Sequence, residues 1–204
     1  MKLLTICGSL GPRSYNRAAL HALEELLLDR MELIESISLG VVPPFDPEFV
    51  DDPPAPVTAF RQQVADADIV VLASPEYAGG PPGLLKNGLD WLVGSGELSQ
   101  RAVAVLTVAS TGGGWARQAL ARTVAYQGGF VLAQLGIDAP RTRFTDDGTI
   151  RDAVTRTVLG TFADAIVVAA AMPEASRIRR ARATLATLDV EAEQKMPFPS
   201  MRTV

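Results

Sequence analysis

Two hydrophobic patterns alternate along the chain. Short unbroken apolar runs, such as Ile69-Val70-Val71-Leu72-Ala73 and residues 102–109, have the length and β-branched content of strands buried on both faces. Between them, apolar residues recur at helical spacing, as in Ala18, Leu20, Leu23, Leu26 and Leu27. The pattern predicts strands over 2–7, 32–38, 68–73, 102–109 and 130–137. It predicts helices over 14–30, 57–67 and 82–92, then from the glycine run at 112–114 to about 127, and over 150–171. Five strand–helix units in that order make a three-layer, doubly wound α/β fold with a five-stranded parallel sheet, and five strands favour the order 2-1-3-4-5. Residues 1–171 form one domain on this reading, and 172–204 form a C-terminal tail extension. The tail carries the basic stretch Arg177-Ile178-Arg179-Arg180-Ala181-Arg182, read as a solvated helix face, and the end Met196-Pro197-Phe198-Pro199.

In that strand order the loops after strands one, three and four share one crevice, at the point where the order reverses. All three are rich in glycine, proline or both. The first is Gly8-Ser9-Leu10-Gly11-Pro12-Arg13-Ser14-Tyr15-Asn16. It joins a strand to a helix N-terminus, where backbone amides and the helix dipole attract anions. Ser9, Ser14 and Asn16 add short donors and Arg13 a charged fork, which together suit a phosphate. Ser14 also suits a helix N-cap, and one hydroxyl can serve both roles. The loop is neither a dinucleotide fingerprint, lacking the third glycine, nor a Walker A loop, lacking Gly-Lys-Ser/Thr. The second loop, Pro75 to Gly83, is stiffened by Pro75 and Pro81 and stripped of side chains at Gly79 and Gly80, so its backbone can face a flat heterocycle with Tyr77 against it. The third is Ser110-Thr111-Gly112-Gly113-Gly114-Trp115, whose glycines make sense where backbone must approach a ligand. A ligand with a phosphate at one end and a ring at the other follows.

Composition narrows the field. The chain has 204 residues, enough for one full α/β domain, and a net charge of −4, which offers nucleic acid or an anionic membrane no bulk attraction. A single cysteine, Cys7, excludes an internal disulfide and a cysteine-rich metal site. The late apolar run at 165–172 is too short to span a bilayer, so a soluble cytoplasmic protein is expected. Chemistry-bearing residues outside the loops read as structural. His21, the only histidine, sits on the first helix away from the loops; Lys86 and Asp90 are four apart and pair on the third. No carboxylate dyad, Ser-His-Asp set or metal-ligand spacing occurs, so no catalytic side chain and no metal site are expected.

At these residues the chain resembles the NADPH-dependent FMN reductase family, flavodoxin-like flavoproteins that include quinone, chromate and azo-dye reductases. The resemblance covers roughly residues 1–171 and rests on Gly8-Ser9-Leu10, Ser14-Tyr15-Asn16, Pro75-Glu76-Tyr77, Gly79, Pro82-Gly83, Leu85-Lys86-Asn87 and Leu89-Asp90-Trp91. It implies bound FMN, with the phosphate on Ser9, Arg13, Ser14 and Asn16 and the isoalloxazine against Pro75, Glu76, Tyr77, Ala78 and Gly79. Ser110, Gly112 and Gly113 would close another side. Two positions depart from the family pattern: Gly11 stands where the family has Arg, and Ala78 where it has Asn or His.

The resemblance further implies NADPH or NADH as donor, a small-molecule acceptor and ping-pong turnover at one shared site, with the cofactor carrying the chemistry. A flavodoxin-type electron carrier and an FMN-binding regulatory module are the alternatives. A homodimer or homotetramer is expected, with Leu85, Gly88, Leu89, Trp91 and Leu92 of the third helix in the interface.

Overall fold

The computed structural model describes residues 1–188. Its centre is a five-stranded parallel sheet in the order β2-β1-β3-β4-β5, formed by Lys2–Cys7 (β1), Glu32–Ile34 (β2), Ile69–Ser74 (β3), Ala102–Val108 (β4) and Phe130–Ile137 (β5). Every residue of β3 and β4 is buried, which is why these strands read as continuous apolar runs. The expected second strand, 32–38, is cut to three residues at the sheet edge; past it the chain turns into a short 3-10 helix, Leu39–Val41.

One face of the sheet is covered by α1 (Tyr15–Leu27) and α6 (Ala153–Ala170), the other by α2 (Ala55–Asp66), α3 (Gly83–Asp90) and α4 (Gly114–Tyr126). The α1 helix buries Ala19, Leu20, Leu23 and Leu27 and ends one turn earlier than its apolar spacing suggested. By length and composition α6 could cross a membrane, but here Leu159, Phe162, Ala163 and Ile166 are core residues packed beneath the sheet.

The third helix corrects an expectation. Leu85, Leu89, Trp91 and Leu92 are each only 1% exposed, within the core of their own chain. The Trp91 indole N–H donates to the Pro43 carbonyl at 2.8 Å, and its ring meets Phe45 edge-on at 5.1 Å. Asn87 seals the same loop, accepting from Phe45 N–H and donating to Pro43 O. Gly88 faces Leu39, since a Cβ there would lie 3.0 Å from that side chain. These residues therefore cannot anchor a contact between subunits. Helical spacing reports a buried face without saying what buries it, and the segment Leu39 to Phe45, with Pro43 and Pro44, supplies the cover.

Beyond residue 171 a further helix, α7 (Glu174–Thr187), lies along β5 and covers that edge of the sheet. Ala181, Leu185 and Leu188 pack inward, and the Arg180 guanidinium donates to Leu132 O at 3.0 Å. Arg177 likewise donates to the Met172 and Ala170 carbonyls, so two of the tail's arginines stitch it to the domain. The Met196-Pro197-Phe198-Pro199 end lies outside the described residues.

Candidate functional site

The loops after β1, β3 and β4 meet at the carboxyl edge of the sheet, around a cavity of about 470 Å³. That lies within the usual range for small-molecule sites, roughly 300–1,000 Å³. Loop one is drawn against the end of β3 at Gly8, whose N–H donates to Ala73 O at 2.7 Å. A Cβ at Gly8 would sit 3.0 Å from Leu85 and 3.2 Å from that same carbonyl, so any side chain there would crowd both. Ser14 caps α1: its hydroxyl oxygen accepts from Arg17 N–H at 3.4 Å, leaving its hydrogen free to donate. The first-turn amides of Tyr15 and Asn16 have no intrahelical acceptor and form the positive end of the helix. Arg17 holds the loop from behind, donating to Ser9 O at 3.1 Å.

Asn16 has a different task from the one expected. It is 2% exposed, its amide oxygen accepts from Val108 N–H and its NH2 donates to Val108 O, each at 2.9 Å. The last β3–β4 pair is Ser74 with Thr107. Beyond it the Asn16 side chain replaces a strand and ties α1 to the end of β4. One amide hydrogen at most is left for a ligand.

Loop two ends in a tight turn in which Tyr77 and Gly80 exchange backbone hydrogen bonds of 2.9 and 3.0 Å. Its central residues, Ala78 and Gly79, have φ of 49° and 74°, the positive pair typical of a type I′ turn. Asparagine or glycine fits there better than alanine does. The turn carries Ala78 and Gly79 out of the cavity lining, whereas Pro75, Glu76 and Tyr77 remain in it. Tyr77 is 61% exposed.

The Glu76 carboxylate points away from any ligand role. It accepts from Ala116 N–H in the first turn of α4 at 3.0 Å and from the Thr111 hydroxyl at 3.3 Å. The N-cap of that helix is Gly113, which has no side chain to cap with, so Glu76 caps it from another loop. A carboxylate there also satisfies the helix dipole.

In loop three, Gly112 and Gly113 have φ of 81° and 71°, and a Cβ on Gly113 would come within 2.6 Å of Thr107. The glycines thus serve the turn into α4, and the Gly112 carbonyl is taken by Thr107 Oγ1 at 2.7 Å and by Arg117. Burial lowers the Arg117 pKa, partly opposed by the charge of Glu76. Of this loop's three expected site residues, Ser110 lines the cavity, and Gly112 and Gly113 do not.

Ser9, Arg13, Ser14, Asn16, Pro75, Glu76, Tyr77 and Ser110 therefore converge as expected. A fourth segment, missed by the sequence reading, completes the wall. Ala139, Pro140, Arg141 and Thr142 follow β5, in the short helix α5 (Pro140–Arg143) and at its cap. The rule that located the other loops, a polar turn after a parallel strand, applied here too. Chemically the lining has two ends. Hydroxyls, helix amides and arginines suit a phosphate; Pro75 to Tyr77 offer backbone and an aromatic edge to a planar ring. That donor set fits FMN.

His21 is exposed and pairs with Glu24 at 3.3 Å, and Lys86 pairs with Asp90 at 2.5 Å, both outside this cavity. Among the described residues there is no cluster of potential metal ligands.

Residues 1–139 match the family model for NADPH-dependent FMN reductase. A 2-hydroxy-1,4-benzoquinone reductase from Burkholderia is 36% identical over 91 residues, 45% of this chain and 49% of that protein. The chain thus spans about half the length of that curated relative, and of several others it matches. A quinone reductase from Pseudomonas putida is 30% identical over 169 residues, 78% of this chain and 89% of the relative. Among solved structures, the FerB NAD(P)H:acceptor oxidoreductase of Paracoccus denitrificans superposes with a TM-score of 0.72 at 24% identity, over 83% of this chain and 96% of that one. An archaeal flavodoxin shares the fold, with a TM-score of 0.58 at 12% identity over 84% of this chain and 100% of the other.

Proposed function

The chain belongs to the NADPH-dependent FMN reductase family, and from that premise we propose that it is an FMN-dependent NAD(P)H oxidoreductase acting on a small acceptor, by a ping-pong mechanism. A quinone is the first acceptor to test, given the names of the relatives, with free flavin, chromate and azo compounds as further ones. The observation that carries this reading is the cavity whose lining combines Ser9, Arg13, Ser14 and Arg141, suited to a phosphate, with Pro75, Glu76 and Tyr77, suited to a planar ring.

FMN held in this cavity would supply the redox chemistry, hydride transfer from donor to acceptor by way of the flavin. The protein binds and orients. Ser9, Ser14, Arg13 and the first amides of α1 hold the phosphate. Backbone groups of Pro75, Glu76 and Tyr77 would edge the ring; Pro75 has no N–H and the Tyr77 N–H is held by Gly80 O, so the Glu76 N–H is the donor of the three that would stabilise negative charge on it. Glu76 and Arg117 keep loops two and three in place. Donor and acceptor occupy the same space in turn, beside the exposed Tyr77 ring.

The protein works as a cytoplasmic homodimer or homotetramer on this reading. With α3 buried, Tyr77 and Trp115, beside the cavity and in the first turn of α4, are among the exposed apolar groups that a second subunit would cover. Initial rates of NAD(P)H oxidation at several benzoquinone concentrations test the proposal. Parallel double-reciprocal lines are expected. Intersecting lines overturn the ping-pong order; an FMN-loaded protein that oxidises neither NADPH nor NADH is a carrier or a binding module instead.

A further inference from the structure

The wall that follows β5 carries a cation whose position in the cavity nothing else in the fold explains. Two arginines reach the cavity lining, Arg13 from loop one and Arg141 from α5. Among the described residues neither makes a hydrogen bond or an ion pair. Their neighbours are all engaged. Arg143, two positions on, is held by Asp138 at 3.1 Å and Asp152 at 3.4 Å. Arg17 donates to Ser9 O, and Glu76, the one carboxylate in the lining, is spent on α4.

The corner that carries Arg141 is firmly set. Ala139 adopts φ 43°, its N–H donates to Ser110 O at 3.4 Å, and Thr142 Oγ1 donates back to Ala139 O at 2.8 Å. Tyr15, in the first turn of α1, packs its ring 5.8 Å from that of Phe144, so this corner stands beside the positive end of α1. Two unpaired guanidinium groups and a helix N-terminus around one cavity, with its carboxylate turned to the Ala116 N–H and the Thr111 hydroxyl, suit an anion.

We propose that Arg141, together with Arg13, binds a phosphate group in this cavity, as a cofactor-binding residue supplied from beyond the stretch that matches the family model. This rests on the FMN reductase reading of the cavity. The phosphate comes either from FMN itself or from the 2′-phosphate of NADPH. Arg13 supplies one charge from loop one, and Arg141 adds a second from α5.

The test uses Arg141→Ala and Arg141→Lys. Both should fold as the parent does, because the Arg141 side chain has no described partner to lose. Apoprotein is titrated with FMN and with riboflavin by flavin fluorescence, and KM is measured for NADPH and NADH on the FMN-saturated enzyme. If the phosphate is that of FMN, Arg141→Ala weakens FMN about tenfold or more, leaves riboflavin unchanged, and Arg141→Lys recovers part of the loss. If it is the donor's, FMN affinity holds and KM rises for NADPH but not for NADH. Equal weakening of FMN and riboflavin, or no change in any of the four constants, overturns the proposal. Parent protein that binds no FMN at all overturns the functional reading, and the Arg141 assignment with it.

Discussion

Replacing Asn16 with alanine should damage the fold before it touches ligand chemistry. The side chain is 2% exposed and makes two hydrogen bonds of 2.9 Å to the backbone of Val108, itself 3% exposed. Alanine leaves both backbone groups unpaired at the end of β4. Each orphaned buried group costs about 1–3 kcal/mol, and water entering the vacated space recovers part, so a loss of about 2–4 kcal/mol is expected. For a chain of this size each kcal/mol shifts the thermal midpoint by about 2–4 °C, giving a fall of about 4–16 °C. The assay is thermal unfolding of flavin-free protein by circular dichroism, since bound ligand would add its own stabilisation. A midpoint lowered by less than about 2 °C would mean that Val108 does not depend on Asn16. Aspartate is no rescue: it can still accept from Val108 N–H but sets a carboxylate against Val108 O, so Asn16→Asp should fall at least as far.

Three further outcomes follow from the loops. Ala78→Asn relieves a left-handed alanine in the Tyr77–Gly80 turn and should stabilise by about 1 kcal/mol, read as a rise in the thermal midpoint. A lowered midpoint would show that the turn does not strain alanine. Glu76→Ala removes the only side-chain cap of α4 described here and should cost about 1 kcal/mol. It should also weaken FMN binding by freeing loop two from loop three; unchanged stability and affinity together would refute the latch. Burial pushes the Cys7 thiol above its usual pKa, so the folded protein stays protonated at a pH where the unfolded chain begins to ionise. Iodoacetamide at pH 8.5 should therefore label native protein more slowly than urea-unfolded protein. Stability should fall as pH rises through the raised pKa, whereas equal labelling rates would remove the burial argument.

The fold was legible because β3 and β4 are apolar throughout and their loops are glycine- or proline-rich, leaving few alternatives to a doubly wound sheet. The convergence of loops one, two and three followed from the strand order alone. What each side chain does there was less legible. Asn16 and Glu76 have the donors and acceptors a ligand would use, but the backbones of β4 and α4 use them first, and only three-dimensional packing reveals that competition. Gly112 and Gly113 signalled close approach correctly, though what they approach is Thr107. Trp91 illustrates the same limit in a core: the spacing of Leu85, Leu89 and Leu92 marks a buried face equally well for a sheet or a partner. Arg141 was missed because the segment after β5 lacks glycine runs, the cue that marked the other loops.

The proposed function turns most directly on the flavin spectrum. Apoprotein reconstituted with FMN and freed of excess should show a flavin absorbance band with one FMN per chain. Anaerobic NADPH or NADH should bleach that band, and benzoquinone should restore it. Failure of the apoprotein to bind FMN, or a bound flavin that neither NADPH nor NADH bleaches, would contradict the assignment.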